Sequence, residues 1–104
     1  MNDDAGIPRI ASLLADPARA RILQVLMDGT MRPAGELAYA AAISAQSASA
    51  HLAKLVGGGL LAAQAQGRHR YFRIASAEVS DAIESLGSLA RAGPSACSRA
   101  PAWI

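Results

Sequence analysis

The sequence predicts a mainly α-helical domain that carries a single β-hairpin, with about five helices in all, and three observations predict it. Apolar side chains recur at helical spacing through most of the chain. Two short segments, Leu60 to Gln66 and His69 to Ile74, instead read as strands on either side of a Gly67-Arg68 turn. Capping signals punctuate the rest: Asp16-Pro17, Ser44, the run Gly57-Gly58-Gly59, and Ser76.

Taken in order, residues 1–6 are polar and read as a disordered N-terminus. Ile10, Leu13 and Leu14 share one face of a first short helix running from Ile7 to Leu14. Asp16 is the N-cap and Pro17 the first helical residue of the second, because proline has no N–H to leave unpaired there. Ala18, Ile22 and Leu26, joined by Leu23 and Met27, line its inner face, and it ends near Asp28-Gly29. Met31 to Ala34 reads as a loop around Pro33. A third, short helix spans about Gly35 to Ala42 with Leu37, Ala38 and Ala41 inward. Ile43-Ser44 turns the chain into a fourth helix, capped by Ser44, whose apolar stripe is Ala48, Leu52, Leu55 and Val56. The glycine run stops it. In the second strand Phe72 and Ile74 share one face, Tyr71 and Arg73 the other. Ser76 caps a last helix that has Glu78 in its first turn and Val79, Ile83, Leu86 and Ala90 in one row, with Pro94 beyond it. Residues 92–104 show no periodicity and read as a disordered tail, leaving 7–91 as one domain.

Composition narrows the class. Apolar residues make up 52% of the chain, but 25 of its 104 residues are Ala and only four are aromatic, so bulky core side chains are scarce. A chain this short buries only part of its surface, which leads us to expect a homodimer. The row Val79, Ile83 and Leu86 suits a partner helix, the alternative being that it only completes the core. The longest apolar run, Leu37 to Ile43, is far short of the ~20 residues of a membrane span. Asp3 and Asp4 stand where a secretory signal carries positive charge. The single cysteine, Cys97, allows neither an intrachain disulfide nor a cysteine-only metal cage. The cytoplasm is the expected location.

Charge is distributed unevenly. Between Ser44 and Ser76 lie Lys54, Arg68, Arg70 and Arg73 and no Asp or Glu, so a formal net charge of +2 conceals a local +4. On the fourth helix, Gln46, Ala50 and Ala53 lie opposite the apolar stripe, with Ser47 and Lys54 beside them and Ser49 and His51 at the flanks. A polar-faced helix followed by an arginine-tipped hairpin suits duplex DNA: the helix enters the major groove while the arginines meet phosphate. Gln46 can bond adenine at two points, and Ser47 and Ser49 are tolerant in what they read; the competing reading is a solvated face with helix capping. Arg68 and Arg70, with His69 between them, suit phosphate or a minor groove, the competing reading being a charged hairpin that keeps its edge soluble. Arg73, Tyr71 and Lys54 are further phosphate candidates, and Phe72 belongs to the core. The glycine run follows a helix and precedes no Lys-Ser/Thr, so it is not a phosphate loop.

A short helix joined by a tight turn to a fourth with an exposed polar face forms a helix-turn-helix, and the hairpin makes it winged, with a two-stranded wing. At this point the chain resembles the ArsR/SmtB family of bacterial transcriptional repressors. The segments that carry the resemblance are LADPARARILQVL (14–26), GELAYAAAISAQSASAHLAKLVGGGLL (35–61) and GRHRYFRI (67–74), and it covers roughly residues 7 to 90. It implies a winged helix that dimerises through its first and last helices, here Ile10, Leu13 and Leu14 with Val79, Ile83, Leu86 and Ala90. It implies binding to a pseudo-palindromic operator and release by an effector. It also implies a phosphate or base contact for His51; a packing histidine that bonds backbone near the wing is the equal alternative. Ala50 departs from the family, which more often has a larger polar or basic residue there, so specificity leans on DNA shape.

Family members that sense metals use Cys-x-Cys on the third helix, or Asp and His on the last. Here GELAYAAA has no Cys, and the last helix offers Asp81 and Glu84 without His. No cofactor or metal site is expected, because soft and borderline ions need thiolate or imidazole ligands, and only His51, His69 and Cys97 supply them. A metal would require Cys97 or the N-terminal acids to fold back on the other subunit. Two other functions compete with a DNA-binding regulator: a winged helix that grips an acidic protein, and an enzyme. Catalysis is disfavoured, since the histidines sit on a surface helix and a wing with no carboxylate near them in sequence.

Overall fold

Asp16 begins the second helix as its chemistry dictates. In a computed structural model, which describes residues 6–97, its Oδ1 accepts hydrogen bonds from the N–H groups of Ala18 (2.8 Å) and Arg19 (3.1 Å). Helix α1 (Gly6–Ala15) ends just before this cap, and α2 (Pro17–Val25) follows and tightens into a 3-10 turn, Leu26–Asp28. A short strand, β1 (Arg32–Pro33), leads into α3 (Ala34–Ala41) and then α4 (Ala45–Gly57). Strands β2 (Leu61–Gln66) and β3 (His69–Ile74) form the hairpin, and α5 (Ala77–Cys97) closes the described chain.

The sheet has three strands in the order β1-β3-β2, all antiparallel. Leu61 opposes Ile74 at the root of the hairpin and Gln66 opposes His69 at its tip. On the other side of β3, Arg32 pairs with Phe72 and Pro33 with Tyr71. This corrects the expectation of a loop from Met31 to Ala34 and of a two-stranded wing. The free edge of β3 has main-chain groups to pair, and Pro33 at a sheet edge forfeits no ladder bond. Side chains brace the short strand: Arg32 donates to Asp28 Oδ2 at 2.8 Å and to Thr30 Oγ1 at 3.1 Å, and lies 3.5 Å from Glu36 Oε1.

Most of the core follows the helical spacing, although Ala18, Met27, Ala41 and Val56 are only half-buried. Ile22, Leu23 and Leu26 meet Leu37 and Ala38 of α3, Ala48, Leu52 and Leu55 of α4, and Leu60, Leu61 and Phe72 of the sheet, all buried. No polar or charged side chain is buried among the described residues, so burial here carries no cost for unpaired charge. The glycine run ends α4: Gly59 turns left-handed (φ 84°) and the N–H of Leu60 bonds the carbonyl of Leu55 at 3.0 Å. Gly58 does something different. A β-carbon there would overlap Cδ1 of Leu13, so the absent side chain lets α1 lie against the end of α4. Nη1 of Arg9 closes the same contact by donating to the Gly58 carbonyl at 3.0 Å.

α5 begins as expected, with Ser76 Oγ accepting from the N–H of Val79 at 3.3 Å. It runs further than expected. Helical backbone reaches Cys97 across a break at Gly93 (φ 71°), which corrects the unstructured reading of residues 92–97. Pro94 follows the break, at the start of a new turn where its missing N–H has no helical partner to lose. The readings of a loose segment at residues 1–5 and of a tail at 98–104 lie outside the described residues.

Candidate nucleic-acid interface

The turn between α3 and α4 is unusually tight for its sequence. Ala42 takes a left-handed conformation (φ 58°, ψ 44°), its N–H bonds the Tyr39 carbonyl, and the N–H of Ile43 bonds that of Ala38. Glycine usually fills such a position. Ser44 then caps α4, its Oγ accepting from the N–H of Ser47 at 3.0 Å. Because Ala48, Leu52 and Leu55 face the core, Gln46, Ser47, Ser49, Ala50, Ala53 and Lys54 are all exposed.

Between α4 and the hairpin runs a cleft of about 620 Å³. Ser49 and Ala53 form one bank, Leu52, Val56 and Phe72 the floor, and Arg68, His69 and Arg70 the other bank. The guanidinium of Arg70 lies 5.4 Å from the Phe72 ring centroid, on the face of β3 that looks toward α4. Pro33 to Gly35 close one end. Arg73, one residue on from Phe72 and so on the opposite face of the strand, points away from the cleft and donates to the Ile74 carbonyl at 3.2 Å. The structure therefore gathers Ser49, Arg68, His69 and Arg70 around one cleft, with Gln46, Ser47 and Ala50 on the adjoining helix face, and it separates Arg73 from them. Among the described residues, no carboxylate lies within ion-pair distance of Lys54, Arg68, Arg70 or Arg73, so their charge is directed to solvent.

His51 is turned the other way. Its Nδ1 lies 3.1 Å from Nη1 of Arg19 and its Nε2 is 3.9 Å from Asp16 Oδ1, so it packs against the start of α2 and not against the wing. The Asp16 carboxyl is held below its usual range, chiefly by the N–H of Arg19, with further help from the N–H of Ala18 and from the nearby Arg19 guanidinium. Arg19 itself was not singled out from the sequence. Its partners are 6 and 32 residues away, a separation no periodicity reports.

An apolar seam lies along α1 and α5. Ile10, Leu13, Leu14, Val79 and Ile83 are half-buried and lean on the core, whereas Leu86 (49% exposed) and Ala90 face outward. Ile7 and Leu89, 77% and 59% exposed, extend this seam and were missed in the sequence, although each stands one helical step from a residue that was named. Ile7, Ile10, Leu14 and Leu86 border a shallow groove of about 470 Å³. Among the described residues no three of His, Cys, Asp and Glu come together as metal ligands would.

The helix-turn-helix domain family matches residues 14–63. The HTH-type transcriptional regulator YdfF of Bacillus subtilis is 51% identical over 80 residues, 77% of this chain, which in turn spans only 35% of YdfF. The HTH-type transcriptional regulator CmtR of Mycobacterium tuberculosis, whose solved structure is described as a cadmium metal sensor, is 35% identical over 83 residues, covering 80% of this chain and 70% of CmtR. The homodimeric winged helix-turn-helix DNA-binding domain of Mb0332 from Mycobacterium bovis, a possible ArsR-family regulator, superposes with a TM-score of 0.78 at 30% identity, over 84% of this chain and 80% of that one.

Proposed function

This chain belongs to the ArsR family of winged helix-turn-helix transcriptional regulators, and on that premise we propose that it is a homodimeric repressor that binds DNA sequence-specifically. Two copies join along the α1–α5 seam and present two α4 helices to half-sites about 34 Å apart, one turn of the duplex. Gln46, Ser47 and Ser49 read base edges, and Arg68 and Arg70 hold phosphate from the hairpin bank of the cleft. One observation carries the reading: the exposed polar face of α4 adjoins the arginine bank of the cleft, and among the described residues no carboxylate pairs with that positive charge.

The repressor acts in the cytoplasm and leaves its operator when an effector binds. No helix of the described residues is long and apolar enough to cross a membrane. The effector differs from the cadmium of CmtR, because the thiolates such an ion prefers are limited to Cys97 and both histidines belong to the DNA-binding half. A small organic molecule or an oxidant takes its place. No catalytic step belongs to this function.

Selection of bound duplexes from a randomised pool tests it, followed by sedimentation of the complex with an enriched sequence. Enrichment of twofold-symmetric sites, with two chains on each duplex, is expected. A pool that never enriches, or one chain per site, overturns the proposal.

A further inference from the structure

Arg19 of α2 reaches both α1 and α4. Arg19 sends all three of its nitrogens to other elements: Nε donates to the Leu13 carbonyl at 2.8 Å, Nη2 to the Ser12 carbonyl at 3.2 Å, and Nη1 to Nδ1 of His51 at 3.1 Å. Ser12 and Leu13 lie in the last turn of α1, where helix carbonyls have no intrahelical partner and the dipole favours a cation. One guanidinium thus caps α1 and grips the middle of α4.

The grip fixes the chemistry of His51. An arginine nitrogen can only donate, so Nδ1 must present its lone pair and the ring proton must sit on Nε2, facing Asp16 Oδ1 at 3.9 Å. A second proton would remove the acceptor and set two cations against each other. The charged groups that face the ring from α2 are Asp16 and Arg19, and Lys54 follows on its own helix.

We infer that Arg19 is a positioning residue for DNA binding: through neutral His51 it locks α4 to α1, the helix that carries the dimer seam, and so sets the angle at which α4 meets the duplex. This rests on the DNA-binding function proposed above. Arg9 on the Gly58 carbonyl holds the far end of α4 to the same helix, so together the two arginines make α1 and α4 move as one piece.

The test uses the full-length protein, the duplex enriched by the wild type from a randomised pool, and a scrambled duplex of equal composition. Arg19→Ala and His51→Ala are expected to weaken binding to the enriched duplex by about tenfold, the scale of a lost charge-assisted hydrogen bond, and to leave scrambled-duplex binding and the salt slope unchanged. His51→Gln, whose side-chain carbonyl still accepts from Arg19, is expected to restore affinity. Nitrogen-15 spectra of the imidazole provide a readout that needs no DNA: the Nε2–H form should dominate in wild type and mix with the other form in Arg19→Ala. Unchanged affinity in both alanine variants overturns the inference. So does a salt slope reduced by one phosphate in Arg19→Ala, or a mixed tautomer in wild type. If no sequence enriches, the DNA-binding function fails with it, whereas the ring spectra still decide whether the grip exists.

Discussion

Cδ1 of Leu13 fills the space in which a β-carbon on Gly58 would stand. Two helices distant in sequence meet there with nothing between them. Gly58→Ala must push Leu13 aside or shift α1, while the Lys54 carbonyl at 3.2 Å blocks the other side. We expect a loss of about 1–3 kcal/mol, the usual cost of overpacking, measured by urea denaturation. Adding Leu13→Ala should recover part of it, so the double variant loses less than the two single losses combined.

Ala42 carries a strain that glycine would relieve. A left-handed alanine costs roughly 1–2 kcal/mol, against which glycine loses about 0.4–1 kcal/mol through the freer unfolded chain. Ala42→Gly should therefore stabilise the fold by about 0.5–1 kcal/mol. Ala42→Val should destabilise it, because a branched side chain tolerates this region least. Thermal melting of the pair gives opposite shifts if the turn has this geometry.

The two sides of the cleft should fail differently. Arg68→Ala and Arg70→Ala should weaken binding to every duplex and each reduce the slope of log K against log salt by about 0.9. Gln46→Ala should leave the slope intact and relax preference at one base position, at about 1–3 kcal/mol. Titrations over a salt series separate these outcomes; unchanged slopes in both arginine variants would remove the wing from the interface.

Acid should loosen the segment before α3. Asp28 is held at about 2, below its ordinary 3.8, first by the Thr30 hydroxyl, then by the Thr30 N–H and Arg32. A carboxyl depressed in the folded state adds stability above its ordinary value and loses it as pH falls through the folded value. Asp28→Asn should accordingly be less stable at neutral pH and show a flatter decline between pH 3.8 and about 2. Denaturation midpoints across that window check the sign.

Much of this architecture was legible because it is local. Asp16, Ser44 and Ser76 cap helices through bonds of two or three residues' reach, and the stripe Ala48, Leu52, Leu55 follows from one helical period. Gln46 and Arg68 could be placed on exposed surfaces by the same arithmetic. What escaped was tertiary. Arg32-Pro33 became a strand only because Phe72 and Tyr71 offered an edge some forty residues on. His51 was readable as a flank residue, yet which flank neighbour it would meet depended on where α2 packs. Helix beyond Ala92 escaped for another reason: a glycine and a proline in succession read as an end, and here they mark a break followed by a further turn.

Pairing with β1 stops at Phe72 and Tyr71, so the hairpin is built as a cantilever. Its root is clamped on two sides, while the stretch from Ala65 to Arg70 overhangs with a neighbour on one side only. Bending therefore concentrates toward the tip, and in the proposed complex the guanidiniums there would follow phosphates whose spacing varies from one site to another. The clamped end keeps the aromatic floor in register with α4. Compliance for the backbone and stiffness for the bases come from a single ladder, divided by two residues of edge.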